Sequence, residues 1–271
     1  MIYETIHLSE ELPHVTLTTY VADEAYEPRD AILIIPGGAY QSVCADREGE
    51  PIAFRFLAAG VNAFVLNYTI SDGSNDPLNL QPLRDASMAM AYIRKNAEHY
   101  HVNPKRVFAI GFSAGGHLTA SLGTLWHLPE LQQMLPEAGD MNRPEGVLLC
   151  YPVLTMGEYS ESTTRRHLTN DDPVLCERFS IEKHVDDRSS PAFIMHTAED
   201  QLVPVENALL TAGAYAAAGV SYELHIYPRG IHGVALADKT TWCGVAEWVD
   251  PAAATWVDSA LRWMERIPSR V

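Results

Sequence analysis

Short apolar runs recur along the chain, separated by stretches in which apolar residues return every three or four positions. Thr5–Leu8 and Val15–Val21 alternate polar and apolar residues, the pattern of half-buried antiparallel strands. Ala31–Ile35 is continuously apolar and is halted by Pro36-Gly37-Gly38. Asn62–Tyr68, Arg106–Phe112, Val147–Tyr151, Ala192–His196 and Tyr222–Tyr227 have the same character. Such β-rich runs predict strands covered on both faces. Between them, Leu83, Ala86, Ala89, Met90, Ile93 and Ala97 keep a helical period, with Pro82 suited to the first turn. Pro204 to Ala218 reads as a helix opened by proline and stopped by Gly219. Ala253, Trp256, Val257, Ala260, Leu261 and Met264 form one apolar stripe, which places Trp256 in the core and leaves Trp263 off it. Leu128–Ser190 is the least regular stretch, broken only by the strand near Val147–Tyr151, and is expected to supply a partial cap over one end of the sheet.

Strands that alternate with helices predict an α/β fold: a mostly parallel central sheet of about eight strands with helices on both faces. No repeat, low-complexity tract or linker divides residues 1–271, so a single domain is expected. Ligands of open α/β sheets bind at the carboxyl ends of the strands. Chemistry is therefore expected just after Ile35, Phe112, Thr197 and Tyr227.

Composition narrows the partners. Lys and Arg number 19 against 35 Asp and Glu, a net charge of −16. A polyanion is repelled by such a surface, which argues against nucleic acid and anionic membranes and leaves a small molecule as the expected partner. Homo-oligomerisation stays open. Cys44, Cys150, Cys176 and Cys243 are too dispersed for a CxxC motif. The first residues lack the basic and apolar segments of a signal peptide. No apolar run reaches the roughly 18 residues of a membrane span. Together these point to the cytoplasm.

After the strand ending at Phe112 comes Gly111-Phe112-Ser113-Ala114-Gly115-Gly116, followed by a helical pattern from His117 to Leu122. A GxSxG sequence between strand and helix is a nucleophile elbow, in which a serine sits on a sharp turn and small neighbours let backbones pass closely. The serine hydroxyl needs a base, and the base needs an orienting carboxylate, in the order Ser, Asp/Glu, His. Two later strand ends supply them: Thr197-Ala198-Glu199-Asp200-Gln201 and Pro228-Arg229-Gly230-Ile231-His232-Gly233. Ser113, Asp200 and His232 are the candidate catalytic residues. Glu199 competes with Asp200, whereas Asp186 and Asp187 precede their strand and stand at its wrong end. His117, His196 and His225 lie inside elements and read as structural, and His99-x-His101 as an exposed helix end rather than a metal site. The charge that develops on a tetrahedral intermediate needs preorganised N–H donors. Ala114, next to the nucleophile, is one candidate; the loop Pro36-Gly37-Gly38-Ala39-Tyr40 is the other source. Tyr40, at its end, is a candidate substrate contact. No metal or cofactor is expected.

The blocks IIPGGAY, REGEPIAFRFLAAGVNAFVLNY, GFSAGGHLTASL, HTAEDQLVPVENALL and ELHIYPRGIHG together resemble the α/β-hydrolase superfamily. Within it they are most similar to small bacterial esterases related to the hormone-sensitive-lipase group and to acetyl-xylan esterases. The resemblance spans nearly the whole chain. It implies an α/β-hydrolase fold with a small cap, Ser113 as nucleophile, Asp200 as acid, His232 as base, and oxyanion N–H groups from Gly38, Ala39 and Ala114. It also implies hydrolysis of short-chain acyl esters, with acetylated sugars or oligosaccharides as expected substrates. The chain departs from the His-Gly-Gly-Gly of related esterases: Pro36 replaces the histidine and Ala39 the last glycine. Backbone donors survive both changes. The modest 128–190 region speaks against lid-dependent lipase action. Two alternatives remain: a peptidase-type acyl hydrolase on the same triad, and a non-catalytic binding protein with a hydrolase fold.

Overall fold

Each apolar run becomes a strand in the computed structural model, which describes residues 1–269. The strands are β1 (Thr5–His7), β2 (Thr16–Tyr20), β3 (Arg29–Ile35), β4 (Asn62–Asn67), β5 (Val102–Phe112), β6 (Val147–Cys150), β7 (Ala192–Thr197) and β8 (Tyr222–Tyr227). They form one eight-stranded sheet in the order β1-β2-β4-β3-β5-β6-β7-β8. β1 and β2 are antiparallel to their neighbours, and β3 through β8 are mutually parallel. This is the mostly parallel α/β sheet that the alternating pattern predicts.

Residues two apart on a strand face the same side, and the core divides accordingly. Leu33, Ile35, Phe64, Leu66, Ala109, Leu149 and Ile194 belong to one apolar cluster. Ile32, Ile34, Val65, Ile110, Leu148, Phe193 and Met195 belong to the other. Covering both faces are helices α1 (Ala45–Glu48), α2 (Glu50–Ala58), α3 (Gln81–Lys95), α4 (Ala114–Thr124), α5 (Pro129–Met134), α6 (Ser162–Thr169), α7 (Pro173–Arg178), α8 (Glu206–Ala218) and α9 (Trp256–Arg266). Gly219 ends α8 with a left-handed backbone, φ 70°, a conformation that glycine adopts without a Cβ clash.

Two expectations need correction. Trp263 is on the stripe, not off it. It stands seven residues after Trp256, close to two full helical turns, and is buried against Phe108 and Phe193. The second concerns residues 128–190, which contain α5, α6 and α7 besides β6. These helices have 6, 8 and 6 residues, too short to show a period in a window of about 11–18 residues. Caps rather than periodicity define two of them. Glu161 accepts the Thr163 and Thr164 N–H groups, and Asp172 those of Val174 and Leu175. Among the described residues, no helix is long and apolar enough to cross a membrane.

Candidate active site

The GxSxG turn joins β5 to α4 and holds Ser113 at φ 53°, ψ −119°. L-residues rarely occupy this region, so the surrounding packing must impose it. The flanking glycines show how. A Cβ on Gly111 would stand 2.1 Å from the Gly115 carbonyl oxygen, and one on Gly115 would stand 2.2 Å from that of Ile35. A Cβ on Gly116 would meet Pro152 at 2.7 Å. Helix α4 therefore seats against β3, β5 and the segment after β6 only with hydrogen at these positions, and the serine is thrust out at the turn.

The loops after β7 and β8 bring the other two predicted residues to it. Nε2 of His232 lies 2.8 Å from Ser113 Oγ, and Nδ1 lies 2.7 Å from Asp200 Oδ2. A carboxylate at Nδ1 fixes the proton there, which leaves the Nε2 lone pair to receive the serine proton. Asp200 is itself held: its Oδ1 accepts the N–H groups of Leu202 and Val203 at 3.0 and 2.9 Å. Burial opposes ionisation of Asp200, yet the donors from His196 and His232 and the charge on His232 hold its carboxyl well below the usual range. Glu199, the competitor, is exposed and faces the Gly230 N–H instead.

The loop after β3 closes on itself, with the Gln41 and Ser42 N–H groups donating to the Gly38 carbonyl. Gly38, Ala39 and Tyr40 all have positive φ, 128°, 53° and 55°. Gly37 lies against the nucleophile, since a Cβ there would stand 2.9 Å from Ser113 Cβ. Ala114 is the first residue of α4, where amides lack intrahelical partners and favour a negative charge. No hydrogen bond among the described residues uses the N–H of Ala39. The candidate donors thus flank the serine from two elements.

Tyr40 does not fit its expected place. Its side chain is 1% exposed and its hydroxyl meets Nδ1 of His117 at 2.9 Å. It props the loop from inside the core and has no free surface for a substrate. His117 is structural, as read: its Nε2 donates to the Phe179 carbonyl at 2.9 Å, and burial lowers its pKa to about 4. His196 lies inside β7, but its Nε2 approaches Asp200 Oδ2 at 3.4 Å and the Val203 carbonyl at 3.0 Å. Among the described residues, no three His, Cys, Asp or Glu side chains converge as a metal-binding group.

Several neighbours escape sequence reasoning. His167 on α6 places Nδ1 2.8 Å from the Ala39 carbonyl. The Tyr151 ring stands edge-on to His232, centroids 5.3 Å apart. Trp248 donates its indole N–H to the His232 carbonyl at 2.8 Å. Their spacing along the chain carries no signal for these contacts; long-range folding alone creates them.

The model of the BD-FAE family matches residues 17–213. The chain belongs to the BD-FAE family. Among its relatives, endo-1,4-beta-xylanase B of Butyrivibrio fibrisolvens is 42% identical over 219 residues, covering 80% of this chain and 34% of that protein. An acetylxylan esterase of Xylanibacter ruminicola is 31% identical over 210 residues, covering 75% of this chain and 40% of that one. The chain thus spans two fifths or less of these curated relatives. A solved structure, an acetyl ester-xyloside bifunctional hydrolase from Caldicellulosiruptor lactoaceticus, matches with a TM-score of 0.82 and 31% identity, covering 97% of this chain and 96% of that one. This BD-FAE chain therefore has the α/β-hydrolase fold, with its GxSxG turn between β5 and α4.

Proposed function

We propose that this protein is a serine carboxylesterase that hydrolyses short-chain acyl esters, acetyl esters of sugars or oligosaccharides in particular, through an acyl-enzyme. One observation carries the reading: the unbroken hydrogen-bonded line from Ser113 Oγ through His232 to Asp200. His232 takes the serine proton as Oγ attacks the ester carbonyl. The N–H groups of Gly38, Ala39 and Ala114 receive the negative charge of the tetrahedral intermediate, which collapses as His232 protonates the leaving alcohol. Water then attacks the acyl carbonyl and gives a proton to His232, which passes it to Ser113 Oγ as the acyl–oxygen bond breaks and the acid leaves. Asp200 orients the imidazole and stabilises its charged form throughout.

The sugar ester rests on the names of the relatives, an acetylxylan esterase and an acetyl ester-xyloside hydrolase. All four cysteines are free and Cys243 is exposed, which fits work in a reducing cytoplasm. The test combines a fluorophosphonate probe with p-nitrophenyl esters of increasing acyl length and acetylated xylo-oligosaccharides. The wild type should be labelled, should prefer acetate and should release acetate from the oligosaccharide; Ser113→Ala should do none of these. An unlabelled wild type, or a variant as active as its parent, would overturn the mechanism. Labelling combined with amide cleavage and no ester turnover would favour the peptidase.

A further inference from the structure

The carboxylate of Glu48 takes no part in the steps above, yet it is 4% exposed and lies directly beneath them. Its Oε2 accepts the Gly37 N–H at 2.8 Å. Gly37 is wedged between Glu48 and the nucleophile: a Cβ there would lie 2.9 Å from Oε2 and 2.9 Å from Ser113 Cβ. Oε1 meets the Tyr151 hydroxyl at 2.7 Å. That hydroxyl accepts the Ala235 N–H at 3.1 Å, so its own proton points at Glu48. Both carboxylate oxygens are acceptors; burial raises the Glu48 pKa, and the Tyr151 and Gly37 donors oppose that by favouring the anion. The Tyr151 ring in turn packs on His232 with the two planes 77° apart.

The preceding residue reaches the same loop from the other side. Arg47 donates to the carbonyls of Gly233 and Thr241, and its guanidinium lies 3.4 Å from the Trp248 ring centroid. Trp248 holds the His232 carbonyl. Adjacent residues on α1 thus grip the loop after β3 and the histidine loop together.

We infer that Glu48 is a positioning residue: its carboxylate fastens the candidate oxyanion loop to the histidine loop and sets a negative charge near the imidazolium of His232. The inference rests on the serine-esterase reading. The groups facing His232 are Ser113 and Asp200 along the hydrogen-bonded line, the Tyr151 ring, and the Arg47–Trp248 pair against its own loop; His196 stands behind Asp200. Glu48, hydrogen-bonded to the Tyr151 hydroxyl behind that ring, is the second carboxylate near His232. It helps His232 carry a proton during acyl transfer, while its two hydrogen bonds hold the geometry.

Glu48→Gln removes the charge and keeps the volume. On p-nitrophenyl acetate, kcat should fall by about tenfold or more, with KM moving by less than about threefold. The acid limb of kcat/KM should move to lower pH, by about half a unit, because an imidazolium without its second anion forms less readily. A kcat within about twofold of the parent, or a fall with the acid limb unmoved, would overturn the inference. Tyr151→Phe keeps the ring on His232 and cuts the link to Ala235. It should lower kcat by about threefold or more, and full activity there would overturn the inference even if Glu48→Gln fails to fold. A wild type with no ester turnover would sink the esterase reading instead, so the two failures are distinguishable.

Discussion

Oδ2 of Asp200 faces two imidazoles, His232 at 2.7 Å and His196 at 3.4 Å. His196 shares its Nε2 proton between this oxygen and the Val203 carbonyl, while its Nδ1 is buried with no partner. It steadies the acid without touching the base. His196→Phe removes the unpaired Nδ1 but leaves the buried Val203 carbonyl without its donor, so it should lose about 1–2 kcal/mol of stability and lower kcat by about threefold to tenfold, the worth of one modest hydrogen bond. His196→Gln, which restores a donor, should recover part of the loss. Steady-state kinetics beside thermal melts checks both.

Replacing the acid itself should cost far more. Asp200→Asn keeps the shape but presents an amide to Nδ1, which favours the wrong tautomer of His232. On a p-nitrophenyl ester, kcat should drop by about a thousandfold to ten-thousandfold, with KM changing little. Glu199→Gln, one residue away and exposed, should stay within about twofold of the wild type.

The elbow packing predicts a stability defect. In Gly115→Ala the new methyl would sit 2.2 Å from the Ile35 carbonyl oxygen and 2.4 Å from that of Pro36. Those atoms are backbone and cannot swing aside. The variant should lose about 3 kcal/mol or more, a fall of roughly 10 °C in melting temperature for a chain of this size, or should fail to accumulate as folded protein. A variant that melts with the wild type would show that α4 is not seated as described.

His117 should make the fold sensitive to acid. Its pKa is lowered from 6.5 to about 4, chiefly by burial. Between those values the unfolded chain binds a proton that the folded chain refuses, so stability is present above 6.5 and is lost as pH falls toward 4. The contribution is on the order of 3 kcal/mol. Burial raises the pKa of Glu48 and Asp85, and such groups act in the opposite sense, so the comparison is with His117→Gln. In urea melts from pH 7 to 4, the gap between wild type and variant should narrow as acid is added. Parallel curves would exclude His117 as the cause.

The strands were legible because a parallel sheet covered on both faces demands uninterrupted apolar runs, as Ala31–Ile35 and Val147–Cys150 display. The proposed catalytic line was legible for a related reason: Ser113, Asp200 and His232 each follow a strand end, so the topology brings them together whatever lies between. The supporting contacts were not. Glu48 meets Tyr151 across 103 positions, and neither residue has a pattern around it that announces the other. The inward turn of Tyr40 to His117 has no sequence signal, because its loop reaches the nucleophile while its side chain enters the core. Trp263 stands at the edge of the α9 stripe, and only its packing on Phe108 and Phe193 shows that the buried face is wide enough to include it.

The backbone at Ser113 has a historical consequence. Glycine tolerates φ 53° with ψ −119° far better than any residue with a Cβ, so the protein is kept from its most relaxed form by the very residue proposed to act. S113G should be inactive, yet it should fold at least as well as the parent, gaining on the order of 1 kcal/mol once the looser unfolded chain is set against the relieved strain. Selection for folding alone would therefore let lineages of this protein slide toward silence.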